Sequence, residues 1–404
     1  MNILQINASD NPVGGAARVM LDLTEILEKK GHEVSVFSGT HYSIKNNFKQ
    51  IKKNIFLKYL SYFFANDIDF FKTDYILNTE EFKKADIVHC HNLHGWYFNL
   101  NTFRKMSKIK PVVWTLHDMW SITPHCCHPF QDDKIVEGFY QCASKDIYPN
   151  LLWHNENKLM KRKKEIYNNS IFSIVSPSLW LENKLKNSVL KNFDTHIIYN
   201  GVNTEIFKKN NKLESRKELE LPEDKKIVLF LVGGGYDRYI FKGGKYLEYL
   251  ANAYKDVQSI VFLCIGLSDL PSSSKKENII YVDKVNESEI MAKYYSASDV
   301  FLFTSLAENF PIVILEAMSC GMPILSFDIG GVKEVIIHKN NGYVVKYKDE
   351  DDLLSGLDYL LSLSQNSLDS ICKDSISKID NYFSLDKMYQ NYSDLYKTLI
   401  SKFF

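Results

Sequence analysis

Charge of one sign is what this sequence lacks first. Its 404 residues carry 49 Lys and Arg against 49 Asp and Glu, a formal net charge of zero. No global basic field is available to hold nucleic acid. The opening residues, MNILQINASDNPVGG, show no charged stretch followed by an apolar run, so no secretory leader is expected. No uninterrupted apolar run approaches the ~20 residues needed to cross a bilayer. The seven cysteines are scattered, most of them in apolar runs. That odd set points to a reducing cytosol and no disulfide framework.

What is present describes a folded, water-soluble chain. Apolar residues make up 45% and charged residues 24%, the proportions of a globular protein. The length exceeds one ordinary core and predicts two domains of roughly 150–200 residues each.

The first 40 residues read as strand, loop, helix, strand. Ile3, Leu4 and Ile6 form a short apolar strand, and Val19, Leu21, Leu23, Ile26 and Leu27 repeat at helical spacing. Gly31 stops that helix before HEVSVFSG. Further apolar strands are expected at 86–91, 111–117 and 172–178. HIIYNGVNTEIF, 196–207, closes this half, and the polar stretch 208–226 reads as a surface connection. A second series follows at 227–235, 259–266, 278–282, 299–305 and 323–328. Short apolar strands alternating with helices predict parallel sheets covered on both faces. The expected division is 1–200, 201–383 and a final amphipathic helix, 384–404, packing back on the first domain.

Four clusters could carry chemistry. Gly14 and Gly15 lie between the first strand and its helix, with Arg18 one turn in. They form neither a dinucleotide fingerprint nor a P-loop, and serve equally as a tight turn or an anion-binding loop. TLHDMW, 115–120, ends a strand at His117 with Asp118 beside it. Ligands collect beyond the carboxyl ends of such strands, although a histidine there can also simply cap the strand. VGGGYDRYIFKGGKYL, 232–247, places Arg238 and Lys242 in a glycine-rich loop. Two cations there could neutralise a diphosphate without a metal, or lie in a solvated loop.

The fourth cluster is ENFPIVILEAMSCG. Pro311 fits a first helical turn, and Ile312, Val313, Ile314, Leu315, Ala317 and Met318 surround Glu316. Glu308 stands just outside the helix start, whose free N–H groups and dipole favour an anion. A nucleoside diphosphate sugar suits that layout: phosphates at the helix end, ribose and sugar hydroxyls on the two carboxylates. Two structural carboxylates, one capping the helix and one paired with a cation, are the alternative.

Taken together, several stretches resemble the retaining glycosyltransferases of family 4, which have the GT-B fold. GGAARVMLDLTEILEKKGHEVSVFSG, DIVHCHNLHGWY, VVWTLHDMW, IYNGVNTEIF and ENFPIVILEAMSCGMPILSFDIGGVKEVI follow the family pattern in order. Glu308 and Glu316 repeat its two glutamates with seven residues between. The resemblance spans residues 2 to about 345. GGAAR and TLHDMW look most like the branch that builds bacterial exopolysaccharide and lipopolysaccharide.

The resemblance implies two Rossmann-like, doubly wound domains facing a cleft. Gly15 would lie against the donor phosphates, with Gly14 shaping the loop. His117 would contact the transferred sugar, and Lys242 the diphosphate. Glu308 would hold the sugar and Glu316 the ribose. Backbone N–H groups of Asn309, Phe310 and Ile312 would meet sugar or phosphate. Arg18 and Asp118 are candidates for the acceptor. The family's usual arginine is missing at Gly233–Gly235 and Phe241, and Arg238 is the candidate substitute. The branch often has a cysteine-rich insertion after HDMW; here His125, Cys126, Cys127, His128 and Cys142 remain, at spacings irregular for zinc.

The implied reaction moves a sugar from a nucleotide donor to a glycan or lipid-linked hydroxyl, retaining configuration. The leaving diphosphate acts as base, and no cofactor or metal is expected. An epimerase or phosphorylase on the same fold, or a silent partner subunit, is the competing reading. Asp67–Asp69, DID, mimics the metal motif of the other major transferase fold by chance. FKQIKKNIFLKYLSYFFANDIDFFK, 48–72, mixes lysines with aromatics and could touch the cytoplasmic membrane face, or pack internally. A cytoplasmic location is expected.

Overall fold

Two parallel sheets organise the chain. The computed structural model describes residues 1–12, 14–130, 134–233, 236–267 and 276–403, without the side chains of 236–238. The chain divides into one unit of Met1–Asn200 with Met388–Phe404 and another of Gly201–Lys387.

The first unit contains β1 (Asn2–Ser9), β2 (Glu33–Thr40), β3 (Phe48–Gln50), β4 (Ile87–Cys90), β5 (Val112–Thr115), the hairpin β6 (Ile135–Val136) and β7 (Phe139–Tyr140), β8 (Ser173–Ser176) and β9 (Thr195–Ile197). Seven of them form a sheet ordered β3-β2-β1-β4-β5-β8-β9, with every pairing parallel. Leu4 and Ile6 face Val88 and Cys90 across the central pair, all buried. Strands covered on both faces need apolar residues throughout, and β4, β5 and β8 are buried at every position.

The second unit contains β10 (Lys226–Leu231), β11 (Ile260–Ile265), β12 (Ile279–Val282), β13 (Val300–Phe303), β14 (Ile324–Phe327) and β15 (Gly342–Val345). Their order is β12-β11-β10-β13-β14-β15, again all parallel. Both sheets therefore reverse winding direction beside their first strand, between β1 and β4 and between β10 and β13. Such a switch point opens a crevice at the strands' carboxyl ends.

The polar stretch 208–226 is more than a surface connection. Asn211 caps a helix, Lys212–Glu218, by accepting from Leu213 N and Glu214 N. That helix buries Arg216, whose guanidinium meets Asp299 at 2.8 Å and donates to the Ala297, Glu223 and Lys225 carbonyls. Asp299 in turn accepts from Ile227 N, so the charged stretch ties together the starts of β10 and β13. Polarity read as exposure; here it is a satisfied buried pair.

The final helix, Leu385–Phe403, sends Tyr392 and Tyr396 into the first unit. Tyr392 Oη lies 2.9 Å from Thr115 Oγ1, and Tyr396 Oη lies 2.6 Å from His89 Nδ1. The helix Ile55–Phe63 behaves differently: Ile55, Phe56, Tyr59 and Phe63 are exposed and only Ser61 is buried. No described helix is long and apolar enough to cross a membrane.

The expectation of a chain without disulfides fails at one place. Cys126 and Cys142 are joined, with Cα atoms 6.0 Å apart. The β6–β7 hairpin folds the excursion back between them, a proximity that spacing alone does not show. The DID residues are structural: Asp67 is buried and Asp69 pairs with Arg162 at 3.0 Å.

Candidate active site

In the second unit the chemistry gathers at the switch point. β10 precedes the helix Tyr236–Phe241, and Lys242 follows that helix. β13 leads to Glu308. Lys242 Nζ and Glu308 Oε1 meet at 2.5 Å, with side chains 23% and 18% exposed. The pair is thus reachable by a ligand yet shielded enough for charge to matter.

Backbone geometry fixes both partners. Gly243 has φ +78, and a Cβ there would lie 2.1 Å from the Thr304 carbonyl oxygen. Only glycine permits that approach. Thr304 Oγ1 donates to the Lys242 and Gly243 carbonyls, and Leu306 N donates to Phe241 O. Gly330, φ +51, packs under Glu308 and Asn309, where a Cβ would lie 2.4 and 2.7 Å from their carbonyl oxygens, and Gly331 N donates to Asn309 O at 2.7 Å.

The helix that follows runs Ile312–Ser319, with Pro311 as its extended N-cap instead of its first helical residue. Pro311 offers no side-chain cap, so the first-turn N–H groups face the Glu308 loop without one. The helix is not buried all round either. Ile314, Leu315, Ala317 and Met318 are buried, while Ile312, Val313 and Glu316 form a half-buried face. Glu316 Oε2 accepts from Tyr295 Oη at 2.8 Å. Burial, then the Glu316 charge, pushes the Tyr295 phenol well up, so it donates throughout the neutral range. Asn309 and Phe310 are buried, and the Phe310 ring packs at a tilt against Phe383. Their main chain is therefore what they can offer a ligand. The side chain of Arg238 lies outside the described residues.

The first unit presents a histidine array beyond β4 and β5. His91 Nε2 donates to Gln5 Oε1 at 3.0 Å. Its Nδ1 must then accept, and His117 Nε2 lies 2.9 Å away as donor. Burial pushes the His117 imidazole down to about 4, against the opposing effect of Asp118, so it is neutral at pH 7 with its proton on Nε2. Asp118 is held inside the chain: Oδ1 accepts from Trp120 N and Oδ2 from His94 Nε2, both at 2.8 Å. Burial raises its carboxyl, and the His94 charge and hydrogen bond outweigh that, leaving it at about 2.

Gly14 caps the helix Gly15–Lys29. Among the described residues, and apart from its chain neighbours, a side chain at Gly14 or Gly15 would meet no atom within 4 Å, and neither has positive φ. Neither position needs glycine for the chain's own packing. Arg18, one turn in, pairs with Asp22 at 2.9 Å.

The structure thus brings Lys242, Glu308, Asn309, Phe310, Ile312 and Glu316 together in the second unit. It places His117, Asp118, Gly14, Gly15 and Arg18 in the first. His91, His94, Gln5 and Tyr295 were missed by sequence reasoning. The alternation in DIVHCHNLH puts His89 and His91 on one side of β4, the signal that would have found His91.

Family models match both units. A model for Glycosyltransferase Family 4 covers residues 13–206, and one for glycosyl transferases group 1 covers 211–375. The chain is a family 4 glycosyltransferase. It is 24% identical to a putative colanic acid biosynthesis glycosyl transferase of Escherichia coli, over 86% of this chain and 88% of that one. Its fold is GT-B. Sucrose-phosphate synthase of Thermosynechococcus elongatus superposes with a TM-score of 0.72 at 18% identity, covering 100% of both chains. HepE of Anabaena, solved with UDP-glucose, superposes at 0.66 and 15% identity, covering 98% of this glycosyltransferase and 99% of that chain.

Proposed function

We propose that this glycosyltransferase moves a sugar from a nucleoside-diphosphate donor to a hydroxyl of a glycan or lipid-linked acceptor, with retention, in the assembly of surface polysaccharide. The Lys242–Glu308 pair at the β10/β13 switch point carries the reading. A cation and a carboxylate that already neutralise each other can be parted by a ligand with both a diphosphate and hydroxyls. Lys242 turns to the diphosphate, and Glu308 accepts from the sugar. Hydrogen bonds to a charged acceptor contribute about 1.5–3 kcal/mol each, enough to orient the sugar.

The remaining roles follow. Main-chain N–H groups at Ile312 and after it face the phosphates, and Glu316, steadied by Tyr295, accepts from the ribose. The leaving diphosphate takes the acceptor proton. The protein's part is to stabilise charge gathering on that group, so no metal is needed at the phosphates. Neutral His117, in the first unit, contacts the transferred sugar, and Gly14 and Gly15 leave room for backbone approach to phosphate. Arg18 serves the acceptor side, whereas Asp118, its oxygens taken by Trp120 N and His94 Nε2, supports the neighbouring His117 from inside the chain.

The polysaccharide assignment is supported by the GGAAR and TLHDMW pattern and by the E. coli relative named for colanic acid. The exposed apolar face of Ile55–Phe63, flanked by Lys52, Lys53 and Lys58, is suited to the headgroup region of an anionic membrane. A thermal-shift screen of nucleoside diphosphates and their sugars tests donor binding, because a ligand bound only by the folded state raises the melting temperature. Wild-type transfer by Lys242→Ala or Glu308→Ala would sink the site assignment.

A further inference from the structure

Outside the donor site, one cluster combines three donor types. His94 follows β4, Asp118 follows β5, and Cys127 lies in the excursion before β6. His94 Nε2 is 2.8 Å from Asp118 Oδ2 and 3.5 Å from Cys127 Sγ. One ligand atom from each lies within 4.8 Å of the others. A tetrahedral ion with Zn–N and Zn–O near 2.0–2.2 Å and Zn–S near 2.3 Å holds its ligand atoms about 3.3–3.6 Å apart, so Cys127 Sγ already stands at that distance from His94 Nε2 while Asp118 Oδ2 gives up its hydrogen bond to His94 and backs off by about half an ångström.

The surrounding chain orients each donor. Trp120 N holds Asp118 Oδ1 and leaves Oδ2 toward the cluster. Cys127 is pinned by its own backbone: its N–H donates to Tyr148 O, and its carbonyl accepts from Met119 N, both at 2.9 Å. The neighbouring Cys126–Cys142 bridge anchors the same excursion. A second observation points to a cation. Asp67 is buried, and neither of its carboxylate oxygens has a hydrogen-bond partner. Burial raises its carboxyl, and the Lys163 ammonium is the largest opposing influence. Burying a carboxylate without hydrogen bonds is costly, and a divalent ion on His94 would place positive charge in its surroundings.

We propose that His94, Asp118 and Cys127 bind a zinc ion, which clasps the loops after β4 and β5 and so positions His117. A set with one imidazole, one carboxylate and one thiolate selects zinc over magnesium or calcium, and its two negative ligands balance the ion's charge. The site differs from the one the cysteine spacing brought to mind. The disulfide removes Cys126 and Cys142 as ligands, and His94 and Asp118 arrive from the sheet. His117 is not a ligand; it acts one residue away, joined to the site through Asp118. The proposal rests on the sugar-transferase reading only for what His117 does, and metal binding is measured independently of transfer.

The test uses the full chain, stripped with chelator and titrated with zinc against a chromophoric competitor. Wild type should retain about one zinc ion per chain after dialysis, and Cys127→Ser and His94→Ala should each lose at least 100-fold in zinc affinity. Cobalt substituted into wild type should show tetrahedral visible bands with a sulfur charge-transfer band. Zinc should slow alkylation of Cys127 in wild type, a readout that needs no variant to fold. Wild type that holds no zinc and gains no alkylation protection overturns the proposal. So does full zinc affinity in folded Cys127→Ser and His94→Ala proteins.

Discussion

Lys242 and Glu308, 66 positions apart in sequence, meet at 2.5 Å where the second sheet reverses direction. Each is the other's ion-pair partner, so removing one leaves the other without it. Lys242→Ala should lower kcat about 10²–10³-fold, the usual loss when one preorganised charge is removed from a developing anion. Glu308→Ala should fall similarly, and the double variant should lose much less than the product of the two, because the pair acts as a unit. Steady-state kinetics of the three proteins checks this; fully multiplicative losses would contradict it.

Tyr295 supports Glu316 from behind. Tyr295→Phe removes one hydrogen bond to a carboxylate, about 1.5–3 kcal/mol at most. The expected result is a rise in donor KM of roughly tenfold with kcat little changed, since ribose is held alike in ground and transition states. An unchanged KM would remove Glu316 from the ribose role.

Gly243→Ala should cost more than a mid-loop glycine usually does. Its Cβ would sit 2.1 Å from the Thr304 oxygen, in a left-handed conformation. A strained residue of this kind costs about 1–3 kcal/mol, and relief moves Lys242. Thermal unfolding and kcat should fall together. Gly14→Ala meets no atom of the described residues beyond its chain neighbours, so its unfolding temperature should stay within a degree or two while transfer falls.

Burial, partly offset by Arg18, lifts the Asp22 carboxyl from 3.8 to about 6. The folded state therefore favours the protonated form. This contribution is fully present below the unfolded value of 3.8 and is lost as pH rises through 6. At pH 8 the penalty reaches up to about 3 kcal/mol. Asp22→Asn should flatten the decline in denaturant midpoint between about pH 4 and pH 7. An unchanged slope would show that Arg18 already compensates the charge.

Vesicle binding tests the helix Ile55–Phe63. Co-sedimentation with anionic liposomes should fall when Phe56 and Phe63 are replaced by serine, with far-UV spectra unchanged. Wild type that stays in the supernatant ends the idea.

Much of this architecture was legible because a parallel sheet writes itself as short apolar runs. β11, β12, β13 and β14 sit inside the stretches that periodicity marks. β3, β9 and β15 did not stand out, being three or four residues long and at or near sheet edges, where apolar density falls. Lys242, Glu308 and Glu316 could be singled out because acids and cations beside glycines and helix starts are conspicuous. His94 and Tyr295 were not, since each matters through a partner 24 or 21 positions away. Pairing at that range is set by topology, and a linear pattern does not display it. The Arg216–Asp299 pair misled for the same reason: its charge is visible, its burial is not.

The most direct test of the central claim is acceptor-dependent release of nucleoside diphosphate from the sugar donor that the thermal-shift screen selects. The account predicts release that requires acceptor, a product with the donor's anomeric configuration, and near-complete loss in Lys242→Ala and Glu308→Ala. Release at the same rate without acceptor, or undiminished in both variants, would contradict it.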